Sequence, residues 1–332
     1  MGQLTQVLRD VNPEKDPRLL VGPQSVDDAG VVVLGQAEGV SSPNGLGLVQ
    51  TVDYFPPVLD DPYLYGAVAA ANALSDVYAM GGKPLCVLNI AGFPKSFPAE
   101  WMREIFRGGF DKVAEAGAVV AGGHTVQGEE PIFGFAVTGL VDPKAVRDNS
   151  GARAGDALYL TKPLGMGSMT TGGKQQKIAP EAVIEAAKVM ATLNGPAAEA
   201  MNAVDAHACT DITGFGLVGH SHNIAQASGV TLRFDLESLP LFPGSYELAA
   251  AGVVSGGSGR GKAALGQDVL IPDGADSARI AIVFDAETSG GLLIAVDPGR
   301  AAELERELAS RNVPVHHVGN VVERTAHPIE FV

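Results

Sequence analysis

Through the first 140 residues, apolar runs with β-branched residues alternate with helical stretches, and glycine or proline separates them. VVVLG (31–35) and GLVQTVDYF (47–55) predict strands. DDPYLYGAVAAANALSDVYAMGG (60–82) predicts a long helix: an acidic pair and Pro62 open it, alanine fills it, and Gly81-Gly82 stop it. CVLNIAGF (86–93) is expected as a strand and AEWMREIFRGGFDKVAEAG (99–117) as an amphipathic helix, followed by strands at VVAGG (119–123) and IFGFAVTGLV (132–141). The polar stretch DPKAVRDNSGARAGD (142–156) has the composition of an inter-domain connection, which divides the chain into residues 1–150 and 151–332.

The second half restarts with ALYLTKPLG as a strand and a helix over 179–195. VTLRF (230–234), ARIAIVF and GLLIAV follow as strands, with a glycine-rich loop VVSGGSGRGK (253–262) between the first two. Helix GRAAELERELASR and strand PVHHVG complete the pattern. Strands and helices mix without strict alternation, so two α+β domains are expected in place of one parallel sheet.

The charge balance narrows the partners. With 23 basic and 38 acidic residues the formal charge is −15, which repels duplex nucleic acid and membrane surfaces. No apolar run reaches the ~20 residues of a membrane span. Two cysteines, Cys86 and Cys209, make no disulfide framework and suggest a reducing compartment, so a cytoplasmic protein is expected.

Several residues could carry chemistry. Asp27-Asp28 follow a turn-like VGPQS; they either converge on one cation or form a solvated turn. Asp53 interrupts an apolar strand, which requires a partner, a cation or an outward orientation. Asn72 and Asp76 share one helix face at i, i+4, as a functional polar face or a structural pair. GGHTVQGEEP (122–131) reads as a strand-to-loop passage whose N–H groups can form an anion nest, with His124 at a phosphate or simply in a turn. LGMGSMTTGGK (164–174) lacks the Walker ending, because Gln175 follows Lys174. His220 and His222 stand two apart on an expected helix and face different ways, which disfavours a zinc pair, and His316-His317 read as structural. In CTDITGFG (209–216) either Cys209 or Asp211 could be the chemical residue. Aspartates beside glycine turns in an acidic chain, without Walker or dinucleotide motifs, are what a carboxylate–magnesium–phosphate site needs.

VDDAG, QTVDYF, AAANALSDVYAMGGKP, AGGHTVQGEEPIFGFAVTG, LTKPLGMG, CTDITGFGLVGH and DAETSGGLLIAV, in this order from about residue 4 to about residue 322, resemble the selenophosphate synthetase family. The aspartate pair and ALSDVYAMGG are shared with the wider superfamily of aminoimidazole ribonucleotide synthetase and thiamine monophosphate kinase. The resemblance implies a two-domain fold whose N-terminal α/β domain binds ATP and magnesium and forms a β-barrel with its twin in a homodimer, beside an α+β C-terminal domain. It implies that ATP, selenide and water give selenophosphate, AMP and phosphate. Carried over, Asp28, Asp76 and Asp211 match magnesium ligands. Ser25, Val26, Asp27, Asp53 and Asp76 match phosphate contacts. Gly123, His124 and Thr125 match a contact made to the site of the other subunit. Asp211, and not Cys209, then becomes the chemical residue of CTDITGFG.

The family's reactive cysteine or selenocysteine and its lysine belong to a glycine-rich loop preceding the helix matched here by GQLTQVL. They are expected upstream of Met1, through trimming, natural absence, or (the favoured reading) a selenocysteine codon taken for a stop. Gly261 stands where the family commonly has asparagine. The alternatives are a silent nucleotide-binding homologue and another superfamily kinase such as thiamine monophosphate kinase. TDITGFGLVGH speaks against the latter.

Overall fold

The computed structural model describes residues 16–23 and 25–332; the GQLTQVL match lies outside them. Among these residues thirteen strands form two sheets. The first comprises β1 (Leu19–Val21), β2 (Gly30–Leu34), β3 (Leu46–Phe55), β4 (Lys83–Phe93), β5 (Val119–Gln127) and β6 (Ile132–Val141), in the order β1-β2-β3-β6-β4-β5. Only β4 and β5 pair in parallel. Register Asp53↔Phe135 and the two-residue period of a strand place Val49, Thr51 and Asp53 on one face, with Val52 and Tyr54 on the other.

Helix α1 (Pro62–Ala79) covers the first of these faces. The Asp61 carboxylate caps it, accepting from Leu64 N at 2.9 Å, and Gly81 in the left-handed region (φ 75°) ends it. Alanine at six of its positions lets it be buried on all sides, between the sheet, helix α2 (Ala99–Glu115) and the second half of the chain. The two helices meet at paired glycines. A Cβ on Gly66 would lie 1.9 Å from Ile105 O, and one on Gly108 would lie 1.9 Å from Tyr63 O.

The second sheet comprises β7 (Ala157–Leu160), β8 (Ala208–Asp211), β9 (Val230–Phe234), β10 (Val269–Leu270), β11 (Leu292–Val296), β12 (His316–Glu323) and β13 (Ile329–Phe331), ordered β10-β13-β9-β12-β7-β11-β8. β11 is buried throughout between β7 and β8. Leu292 and Ile294 belong to a core that continues through α1 to the first sheet, whereas Leu293 and Ala295 join a second core on the opposite face.

Four expectations change. ARIAIVF is a helix (Ser277–Val283) because the Asp276 carboxylate caps it, accepting from Ala278 N at 2.8 Å and Arg279 N at 3.1 Å. A seven-residue apolar run does not distinguish the two states by period. The stretch expected as a glycine-rich loop is largely a helix, Gly256–Leu265, started by Ser255 Oγ, which accepts from Gly257 N at 3.0 Å. GGHT lies inside β5 and forms no loop nest; at Gly123 a Cβ would meet Asn89 O at 2.3 Å. The helix expected over 179–195 ends at Met190, and a separate one spans Gly195–Ala203.

These contacts predict opposite effects of one methyl group. Gly66→Ala should destabilise the protein by about 1–3 kcal/mol or more, because rigid backbone blocks the new atom. At Gly259, helical and with open space around it, alanine should stabilise by roughly 0.5–1 kcal/mol. Urea unfolding of the two variants measures both.

Candidate active site

The segment 26–28 enters β2 after a turn and is fastened to the inter-domain connection. Asn149 donates from Nδ2 to Val26 O at 2.7 Å and from its backbone N–H to Asp27 Oδ1 at 2.9 Å. Asp27 and Asp28 therefore diverge. Asp28 turns to the second sheet, where Thr210 Oγ1 donates to its Oδ1 at 2.8 Å, and its Oδ2 is buried without a partner. Thr210 and Asp211 end β8; Asp211 is 1 % exposed and its Oδ2 is also buried and unpartnered.

Two further carboxylates come from the first half. Asp53, on the helix-facing side of β3, accepts from Asn72 Nδ2 at 2.6 Å. Asp76, one turn along α1 from Asn72, accepts from Thr51 Oγ1. The Asn72/Asp76 face is thus both structural and part of the acidic cluster. Asn72 Oδ1 also accepts from Ser289 N at 3.1 Å, and Asn194 Nδ2 bridges Ser75 Oγ at 2.8 Å and Gly290 O at 2.9 Å. The two asparagines hold the loop between Asp285 and Leu292 against α1.

Burial and mutual repulsion raise the acids. Burial first, then Asp211 and the other aspartates, pushes Asp76 well above the ordinary carboxylate range. Burial and Asp211 do the same to Asp28. Asp53 rises to about 6, through burial, and so does Asp211, with Ser75 and Lys162 opposing the rise. Lys162 is the buried cation beside them: burial pushes it down to about 7, and its Nζ donates to Ser289 O at 2.8 Å. Hard oxygen donors gathered in excess of cations, two of them with no partner, fit magnesium. Asp28 and Asp211 could hold such an ion between them, with Asp76 adding to the same acidic cluster.

His220, on helix Gly216–Ser228, was not recognisable as part of this site from its spacing with His222. A ring nitrogen of His220 and carboxylate oxygens of Asp28 and Asp211 lie within 4.8 Å of one another. His222 instead faces Asp268 at 3.2 Å. Thr210, Asn194 and Lys162 also belong to these surroundings, and of the three only the last has a signal in the sequence, a lysine within the largely apolar stretch ALYLTKPLG. Cys209 is fully buried and burial pushes its thiol up, which makes it a packing residue.

Not every expected residue converges. Ser25 and Val26 are exposed at the edge. Gly123 is in register with Asp53 through Phe135 and Asn89, three strand spacings away, or roughly 14 Å. With His124 and Thr125 it lies exposed on the edge strand β5, apart from this chain's acidic cluster.

Residues 26–141 match the model of AIR synthase related proteins, N-terminal domain, and residues 153–330 match that of the C-terminal domain, so the chain belongs to the AIR synthase related family. The fold agrees: thiamine monophosphate kinase from Aquifex aeolicus superposes with a TM-score of 0.70 at 16 % identity, covering 100 % of this chain and 96 % of that one. Within that family the chain belongs with the selenide, water dikinases. It is 46 % identical to the selenide, water dikinase of Caldanaerobacter subterraneus over 98 % of this chain and 92 % of the relative. It is 45 % identical to that of Geobacter metallireducens over 95 % and 89 %.

The raised carboxylates predict a pH signature for the metal-free protein. Asp53 and Asp211 hold protons up to about pH 6 when folded, against roughly 3.9 when unfolded. Their stabilisation is complete below the unfolded value and is lost as pH rises through about 6. Melting temperature should fall from pH 4.5 to 7, and magnesium should remove the fall. Asp76→Asn should raise metal-free stability at pH 7 by about 0.5–2 kcal/mol while weakening magnesium binding; calorimetry at both pH values checks this.

Proposed function

We propose that this chain makes selenophosphate from selenide, ATP and water, releasing AMP and phosphate, and so supplies selenium for selenocysteine and selenium-modified tRNA. The observation that carries the reading is the meeting of unpartnered Asp28 and Asp211 oxygens, one from each half of the chain, in a selenide, water dikinase relative of 46 % identity. Asp28, Asp76 and Asp211 hold magnesium. Ser25, Val26, Asp27, Asp53 and Asp76 line the path of the nucleotide phosphates. When bound, magnesium supplies charge neutralisation and Lewis acidity at the phosphate oxygens. The protein's own part is to fix these carboxylates before ATP arrives, through Thr51, Asn72, Ser75 and Thr210, so that the triphosphate enters a rigid frame. Lys162 offsets part of the acidic charge from behind.

Gly123, His124 and Thr125 serve the site of a second copy in a homodimer. The open face of the first sheet supports this, since Val52, Tyr54, Leu85, Leu88 and Val126 are each about half exposed there or on its edge strand. The domain division at residues 150/151, with nucleotide binding and dimerisation in the first part, belongs to the same reading. So does a cytoplasmic setting, which the two free cysteines support. No helix among the described residues is long and apolar enough to cross a membrane.

Incubation with ATP, magnesium and selenide tests the activity, using the chain alone and the chain preceded by the family's glycine-rich cysteine or selenocysteine loop. Phosphorus NMR should show selenophosphate and AMP from the extended form; neither product would end this reading. Asp211→Asn should cut turnover by about 100-fold or more with an unchanged circular dichroism spectrum. Leu88→Asp should convert the dimer to monomer in analytical ultracentrifugation; an already monomeric parent would refute the dimer.

A further inference from the structure

Lys162 also lines a cavity of about 310 Å3, the low end of the range that small organic ligands occupy. The cavity is separate from the acidic cluster, since none of Asp28, Asp53, Asp76 and Asp211 lines it. Three pieces of the second half build it: the residues after β7, the turn between helices Pro180–Met190 and Gly195–Ala203, and the residues after helix Ala301–Ser310. Val189, Leu193 and Val313 give it apolar walls, and Thr192 stands exposed at its rim. Lys162 and Asn194, 5 % and 3 % exposed, form the buried part of the lining. Both are fixed: Asn194 Nδ2 is held by Ser75 Oγ and Gly290 O, and Lys162 Nζ by Ser289 O.

Lys162 is the feature that calls for a ligand. Among the described residues its Nζ donates to two main-chain carbonyls, Ser289 O at 2.8 Å and Met190 O at 3.5 Å, and to no carboxylate. Burial disfavours its charge, and Asp211 opposes that only in part. A buried ammonium ordinarily has an acid in contact with it. Arg311, which also lines the cavity, has two: Glu307 and, at 3.5 Å, Glu199. The unmatched cation is therefore the buried one, and an ammonium has a third N–H to give. A largely apolar cavity with one convergent charged group is the ordinary form of a small-molecule site.

We propose that this cavity binds a small organic anion, a carboxylate whose head pairs with Lys162 and whose apolar body lies against Val189, Leu193 and Val313. The lining sets that class. A neutral ligand leaves the ammonium unmatched, and a cation is repelled by it. A compact multivalent anion would find one buried cation and three hydrophobic walls, too little to replace its water. The proposal goes beyond the selenophosphate reading and uses none of its steps.

The probe is 4-fluorobenzoate, with 4-fluorobenzyl alcohol as its uncharged counterpart. Each is titrated against the full chain and followed by fluorine NMR, without nucleotide, selenide or magnesium. The carboxylate should bind with a Kd of about 10 mM or tighter, the strength that roughly ten non-hydrogen atoms support. The alcohol should bind about tenfold more weakly or worse. Thr192→Trp sets an indole at the rim and should weaken carboxylate binding about tenfold by filling the cavity, with Lys162 left in place. Lys162→Met should remove the preference for carboxylate over alcohol. No binding of the carboxylate, equal binding of the two probes, or binding unchanged in Thr192→Trp would each overturn the proposal. Thr192 is exposed, so its variant decides even if Lys162→Met folds poorly. Selenophosphate formation is assayed separately, so failure of that reading leaves this result standing.

Discussion

Four carboxylates meet in this protein where the two halves of the chain close on each other, and each is partly or wholly removed from water. Like charges at this spacing and burial oppose folding. Much of the surrounding architecture offsets that cost without neutralising the site. Thr51, Asn72 and Thr210 each donate to one carboxylate oxygen, and Lys162 stands behind the group instead of in it. One oxygen each of Asp28 and Asp211 stays buried without a partner. A protein whose stability alone mattered would have paired them; the proposed cation role accounts for their being idle.

Holding such a cluster requires rigid neighbours, and α1 provides them. Its alanines allow close approach on every side, and its few polar residues, Asn72, Ser75 and Asp76, all face the acids or the loop of the second half. Asn72 and Asn194 tie that loop down, so an aspartate on β3 and one on β8 are positioned through a common framework. The arrangement places Asp211 by docking between halves, and its geometry depends on residues almost anywhere along that contact.

Much of the framework was legible from the chain. The Asp61 cap, Pro62 and Gly81 bound a helix by local chemistry alone, and β-branched residues between glycines identified β3, though only the packing of sheet against helix settles that Asp53 faces inward. The i, i+4 spacing correctly put Asn72 beside Asp76. Where local signals were weak the reading failed. A short apolar run at 278–284 became a helix because of one capping aspartate, and a glycine-rich stretch became a helix because Ser255 caps it and Ala286 and Phe284 pack against it.

The sequence by itself determined the family, through motifs spread along the chain, and the long helix that sets Asn72 and Asp76 on one face, because periodicity and caps act over a few residues. Only the tertiary structure decided that Asp27 and Asp28 part company, that Thr210 holds Asp28 across 182 positions of chain, and that His220 joins the carboxylates while His222 does not. Those outcomes follow from how two sheets dock through a shared core, a relation no local pattern encodes.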